Sequence, residues 1–302
     1  MSATSAISSL DLSQLPAPAV VEQLDFETIF AAMLTDLRAR DPIFDALVES
    51  DPAYKILQFA AFREMNIRAR VNDAAKAVML AFATGTDLDH LGANKNLPRL
   101  VLDPGNPAGS PPIPPTYETD ADFRMRIQLA PEGYSTAGPE GSYVFHARSA
   151  AAAVKDAQAI SPEPGRVTVY VLSRVGFGTA SPELIEQVEA ALSADDVRPL
   201  TDHVTVESAE VSTYDVVAEL VMFPGPDAEV VRQAAQVAVT AYTQDVHRLG
   251  YDVTLSGLFR ALHQNGVQGV NLIEPVSNLV AGDGEAWCVD AINVTIAAAT
   301  DV

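Results

Sequence analysis

The chain has 302 residues, enough for two or three domains. Forty acidic residues against nineteen basic ones leave a formal charge of −21, which argues against a nucleic-acid partner or an anionic membrane surface. Cys288 is the single cysteine, so no intrachain disulfide can form, and folding in a reducing cytoplasm is expected.

The opening MSATSAISSLDLSQLPAPAVV lacks a basic segment followed by an apolar core, so no signal peptide is read there. Residues 1–24 are rich in Ser, Ala and Pro and are expected to form an extended arm. From Asp25 to about Arg40, Phe26, Ile29, Phe30, Met33 and Leu37 recur at helical spacing. Asp51–Pro52 opens a longer helix, with proline at its first position. Ile56, Ala60, Ile67, Val71, Ala74, Val78 and Phe82 form one apolar stripe along it, ending near Gly85. At 1.5 Å per residue the helix is predicted to run roughly 50 Å. Its weakly charged stretch, Ala74 to Phe82 with flanks, is too short to cross a bilayer.

This helix also carries Lys55, Arg63, Arg68, Arg70 and Lys76 against Asp51, Glu64 and Asp73, so it is locally basic within an acidic chain. A solvated face with spaced ion pairs would explain the pattern. The sharper alternative is a surface awaiting an acidic partner helix. A short helix is expected next, capped by Thr86 with Asp89 three residues on and closed by Gly92. Residues 98–115 hold seven prolines with Gly105 and Gly109. Proline fixes φ and lacks an amide hydrogen, so this segment is predicted to be a semi-rigid linker without regular structure.

Thr119 with Asp122 caps a predicted helix through Leu129, and a second follows Gly138–Pro139 to about Ala153. Residues 154–161 and 167–172 then read as a hairpin around Pro164–Gly165. Ser181–Pro182 opens a helix to Leu192, and His203–Ala209 is a strand. After it come a strand from Tyr214 to Phe223, helices from Gly225–Pro226 to His247 and from Ser256 to Asn265, and strands over 267–275 and 287–296. No internal repeat is evident. The fold class is α+β: a long-helix segment followed by two or three small mixed α/β sandwich modules. The expected domains are the arm (1–24), a helical segment (25–97), the linker (98–117), an α+β module (118–210) and a C-terminal α+β module (211–302).

Local signals for chemistry are weak. Gly176-Phe-Gly178-Thr-Ala-Ser181 lies between a strand and a helix, as a dinucleotide loop would. Serine replaces the third glycine, however, and the preceding strand reads as half of a hairpin rather than the start of a parallel βαβ unit. Asp87-Leu-Asp89-His90 brings together metal-ligand types, but helix capping accounts for them. His90, His146, His203, His247 and His263 are scattered, and Cys288 beside Trp287 reads as a small buried residue. No catalytic, cofactor-binding or metal-binding residue is assigned.

Longer stretches carry more information. DLSQLPAPAVVEQLDFETI (11–29), the segment from Glu49 to Ala93, and TDADFRMRIQLAPEGYSTAGPEGSYVFHARSA (119–150) resemble the baseplate J-like family of temperate contractile-tailed phages. SPEPGRVTVYVLSR (161–174), DVRPLTDHVTV (196–206) and HRLGYDVTLSGLFRALHQNGVQGV (247–270) continue the likeness in the same order. The resemblance implies a non-enzymatic wedge protein of the tail baseplate, assembled in the host bacterial cytoplasm, that helps trigger sheath contraction. It also implies two copies per wedge and a ring of wedges around hub and spike. A second wedge protein would join through a helical bundle, with a small lysozyme-like wedge protein and tail fibre proteins nearby. Phe26, Ile29, Phe30, Ile56, Ala60, Ile67, Val71, Ala74, Val78 and Phe82 would then form the bundle interface, and residues from about 211 the contact between wedges. The competing expectation is a cytoplasmic nucleotide-binding enzyme using Gly176–Ser181.

Overall fold

The computed structural model describes Leu12 and residues 15–135, 137–194, 197–199, 201–225 and 227–297. Residues 1–11, 13 and 14 of the expected arm lie outside the described residues, as does Pro226 at an expected helix start. The described chain is α+β and divides into two compact units. One is helical, comprising the described residues up to Arg99 with Thr119–Ile127. The other holds the sheets, comprising Leu100–Glu118 and the chain from Gln128 onward.

In the helical unit, α1 (Phe26–Arg40) starts where the Asp25 carboxylate accepts the Thr28 amide at 2.9 Å. α2 (Pro52–Ala77) has proline in its first turn, α3 spans Gly85–Ala93, and α4 spans Asp120–Leu129. The Thr119 hydroxyl caps α4 by accepting the Asp122 amide at 3.2 Å. Ala83, Leu88, Phe123 and Ile127 form a buried cluster, with Leu80, Leu91 and Leu97 packed around it.

Two expectations change here. α2 ends at Ala77, about 39 Å from its start, rather than near Gly85. The Leu80 and Ala83 carbonyls are bonded at 2.7 Å by the Arg124 guanidinium, and both residues turn into the cluster under Phe123. Burying them outweighs another turn of helix. α3 begins after Thr84 rather than Thr86, and its Gly85 amide is satisfied by Asp120 Oδ2 at 3.0 Å.

In the sheet unit, the proline-rich segment is not without regular structure. β1 (Val101–Asp103) pairs antiparallel with β2 (Thr116–Tyr117), and Asn106 and Ile113 exchange backbone bonds of 2.9 and 3.0 Å between them. The prolines lie between the paired residues, where no ladder amide is needed.

β3 (Val154–Glu163) and β4 (Arg166–Ser173) form the expected hairpin. β4 also pairs in parallel with β5 (His203–Ser208), the connection running through α6 (Pro182–Leu192). The hairpin reading therefore holds, but a parallel βαβ unit is present as well. α6 and α5 (Glu140–Ala150) cover this three-stranded sheet. A second sheet has β6 (Glu210–Met222) at its centre, β7 (Val267–Glu274) antiparallel and β8 (Glu285–Ile296) parallel. α7 (Ala228–Val246) and α8 (Leu255–Leu262) pack on one face, over Val216, Ala218, Leu220 and Val294. From α7, Gln236 and Arg232 donate to the main-chain carbonyls of Ile292 and Val294 on the edge strand β8, at 3.2 and 3.3 Å.

Candidate interaction surface

α2 has two apolar faces, and among the described residues only one packs within the chain. Tyr54, Leu57, Ala61 and Met65 pack against Phe26, Ile29, Phe30, Met33 and Leu34 of α1. Phe30 stacks on Phe26 at 6.0 Å and meets Tyr54 edge-on at 4.9 Å. Of the residues expected at a partner interface, Ile29 and Phe30 are buried in this contact and Phe26 is half-buried beside them.

The rest of the expected stripe behaves otherwise. Ile56 is 69% exposed and Val78 70%, and Ile67, Val71 and Ala74 are also exposed, while Ala60 and Phe82 are half-buried. At 100° per residue, Ile56, Ile67, Val71 and Ala74 share one face of α2, with Arg63 and Arg70 beside them. Phe59 and Phe62 are exposed on its flank. The sequence reading missed both phenylalanines because they fall outside the strict i, i+4, i+7 rows.

Toward its end, α2 holds the preceding arm by the main chain. Asn72, 7% exposed, accepts the Glu22 amide at 3.0 Å and donates to the Glu22 carbonyl at 2.8 Å. Arg68 adds ion pairs to Glu22 and Glu64 at 3.1 and 2.6 Å. These exposed pairs contribute little beside the two half-buried amide bonds. Asn72→Leu should cost about 1–3 kcal/mol by leaving the Glu22 groups unsatisfied. Thermal unfolding with limited proteolysis over residues 15–25 checks this. A variant cut no faster than wild type would show that the clamp does not hold the arm.

The Gly176–Ser181 loop sits at the C-terminal end of β4, ahead of α6. Its glycines have structural causes. A Cβ at Gly178 (φ +116°) would lie 2.6 Å from Leu172 Cδ1, and the Ser173 amide donates to the Gly178 carbonyl at 2.7 Å. Ser181 Oγ accepts the Leu184 amide at 3.3 Å, and Glu183, its carboxyl held below its usual range by its own amide and Ser181, lies in the same turn. Protein groups thus already occupy the amide end of α6, where a phosphate would bind. Asp89 pairs with Arg99 at 2.8 Å, and no group of three or more metal-ligating side chains is found among the described residues. No described helix is long and apolar enough to span a membrane.

A buried polar seam links the two sheets of the sheet unit. Lys155 Nζ lies 2.9 Å from His247 Nδ1, and Asp156 accepts the Leu249 amide at 3.2 Å while pairing with Arg148 at 3.1 Å. Gln158 accepts the Gly284 amide at 2.8 Å and donates to Asp283 at 3.2 Å. Leu172, Ala209, Leu249 and Ala286 pack beside these groups. Burial, reinforced by the Lys155 charge, pushes His247 from 6.5 down to about 4. The folded state then binds fewer protons than the unfolded state, so the stabilisation is complete above pH 6.5 and is lost as pH falls toward 4. Over that window the loss should approach about 3 kcal/mol. Urea unfolding at pH 7 and pH 5 tests it: His247→Gln should flatten the difference, and an unchanged slope would acquit this histidine.

Family models now bear on these surfaces. One described as the Baseplate J-like N-terminal domain matches residues 49–106, and one for the Baseplate J-like central domain matches residues 135–208. Baseplate protein J of Escherichia phage P2 is 46% identical over 294 residues, covering 95% of this chain and 97% of that protein. The chain belongs to the baseplate J-like family. Among solved structures, a chain in the cryo-EM structure of the anti-feeding prophage (AFP) baseplate, 6-fold symmetrised, aligns at 16% identity with a TM-score of 0.42. The alignment covers 59% of this chain and spans 44% of that chain. The family's N-terminal model runs over α2, α3 and β1, and its central model over α5, β3, β4, α6 and β5. The doubly apolar α2 therefore lies within the family's N-terminal domain.

Proposed function

We infer that this chain is a structural, non-catalytic wedge subunit of a contractile phage-tail baseplate, and that the outer face of α2 receives helices of a second wedge protein. The baseplate role is supported by the extended likeness to the phage P2 protein. The docking role rests on one observation, the exposed α2 face of Ile56, Ile67, Val71 and Ala74, followed by exposed Val78 just past the helix end and accompanied by Arg63 and Arg70. A solvated helix face ordinarily carries charge where this one carries Ile and Val. The two arginines suit an acidic amphipathic helix.

In this reading the subunit is assembled in the host bacterial cytoplasm, two copies per wedge. Wedges close a ring around hub and spike, with a small lysozyme-like wedge protein and tail fibres as neighbours. Contacts that are individually modest and multiplied by symmetry let such a ring hold and then change shape to trigger the sheath. The test is incorporation. In cells making the full set of tail proteins, the wild-type chain should enter baseplate-sized particles, and a chain with Ile67→Asp and Val78→Asp should not. Incorporation of the variant at the wild-type level would remove the outer face of α2 from the interface.

A further inference from the structure

Between Ala53 and Thr84 the sequence holds no glycine or proline, yet α2 stops at Ala77. Residues 78–84 read Val-Met-Leu-Ala-Phe-Ala-Thr, and methionine, leucine and alanine are among the best helix formers. Part of this segment still makes helix-like bonds, the Phe82 and Ala83 amides both donating to the Met79 carbonyl at 3.0 and 2.8 Å. The break falls at Val78, where φ is −91° and ψ 1°. Among the described residues, the Leu80 and Ala81 amides donate no backbone hydrogen bond. Two side chains of α4, one turn apart, hold the break. Arg124 donates to the Leu80 and Ala83 carbonyls at 2.7 Å, and Asp120 accepts the Gly85 amide at 3.0 Å. In an uninterrupted helix the Leu80 carbonyl would accept the Thr84 amide, and the Gly85 amide would donate to Ala81. Each α4 contact therefore takes a group that a longer α2 would use.

We propose that residues 78–84 are a two-state segment, clamped by Arg124 in the lone chain and drawn into α2 when a partner helix covers the outer face. The sequence is patterned for both states. Continued at 3.6 residues per turn, Val78 and Phe82 extend the exposed row of Ile67, Val71 and Ala74, while Leu80 and Ala83 extend the opposite row of Ala61 and Met65. A loop has no use for helical periodicity on two faces. Extension lengthens α2 by roughly 10 Å. The two states exchange like for like. The lone chain keeps Leu80 and Ala83 in the cluster under Phe123. The complex instead covers Phe82 and Val78, the latter 70% exposed in the lone chain. A partner shifts such an equilibrium only by its differential affinity for the two states, and the lengthened apolar row exists in only one of them.

The inference rests on the docking role proposed for α2 and says what sets the length of that surface. It is tested on the full chain by three measurements. Arg124→Met keeps an unbranched stem but cannot donate, so the lone variant should gain helical circular dichroism and slow amide exchange at Leu80 and Ala81 about tenfold. In the wild-type complex with the second wedge protein, the same two amides should slow to a similar degree. Ala81→Gly alters no member of the buried cluster, and it should weaken partner binding about fivefold because glycine is a poor helix former. Arg124→Met should strengthen that binding. Fast exchange at Leu80 and Ala81 in the complex, Ala81→Gly binding as tightly as wild type, or a cooperatively melting Arg124→Met chain with no added helix would each overturn the proposal. Should Arg124→Met fail to fold, the other two measurements decide. The Ile67→Asp/Val78→Asp chain separates this proposal from the reading beneath it. Loss of the partner by that chain, with fast exchange in the wild-type complex, refutes the extension alone, whereas retention of the partner overturns the docking role and the extension with it.

Discussion

A chain with aspartate at both Ile67 and Val78 should lose co-purification with the second wedge protein proposed to dock on α2 while keeping its own fold. Both side chains are largely exposed and neither belongs to a buried cluster. Substitutions at such positions shift stability by about 0.5 kcal/mol or less, apart from a small helix-propensity cost at position 67. In the complex the same carboxylates would be buried without partners. Truncating one side of a buried charge pair costs about 2–5 kcal/mol, and an unpaired charge in an apolar contact is of that order, so each aspartate should weaken binding from about thirtyfold to several thousandfold. The readout is the amount of partner retained on the tagged chain, alongside circular dichroism and melting of the chain alone. Full retention with an unchanged melting curve would mean that this face meets no partner.

The second large effect is on stability, at Phe123. Its ring is fully buried, Arg99 lies over it at 4.8 Å and Arg126 at 5.7 Å, and Gly92 leaves the space the ring occupies. A Cβ at Gly92 would stand 2.3 Å from Phe123 Cζ. Phe123→Ala should cost about 3–5 kcal/mol through lost burial and an unfilled cavity. Gly92→Ala should cost about 1–3 kcal/mol by overpacking. Because the two positions touch, the double variant should be less destabilised than the two single costs combined, the new methyl group filling part of the void. Denaturant unfolding of the three variants checks this. Strict additivity would show that Gly92 serves the nearby Leu97 carbonyl, 2.9 Å from the same Cβ, and not the ring.

Features visible in the sequence were those set by local spacing. The apolar repeats of α1 and α2, the Thr119–Asp122 cap and the Pro164–Gly165 turn announce their elements because the cause lies within a few residues. The end of α2 does not, since it depends on Arg124 reaching carbonyls 44 and 41 positions earlier in the chain. The parallel pairing of β4 with β5 was equally hidden, because a helix separates the partners and the hairpin alone accounts for the strand pattern of β4. Asn72 and His247 carry no motif. Each matters because of a group far along the chain, Glu22 in one case and Lys155 in the other. On the candidate surface, periodicity located the stripe but could not separate Ile29 and Phe30, buried against α2, from Ile56 and Ile67, which are exposed.

Gln236 and Arg232, reaching from α7 to the carbonyls of Ile292 and Val294, leave fewer acceptors free on the margin of β8. An open margin is a template on which a stranger's backbone can zip, and many copies crowded at high local concentration would be at risk of knitting into fibres. With those acceptors already taken, crowding can be tolerated, and recognition is left to side chains, which distinguish one surface from another, rather than to the peptide groups that every chain shares.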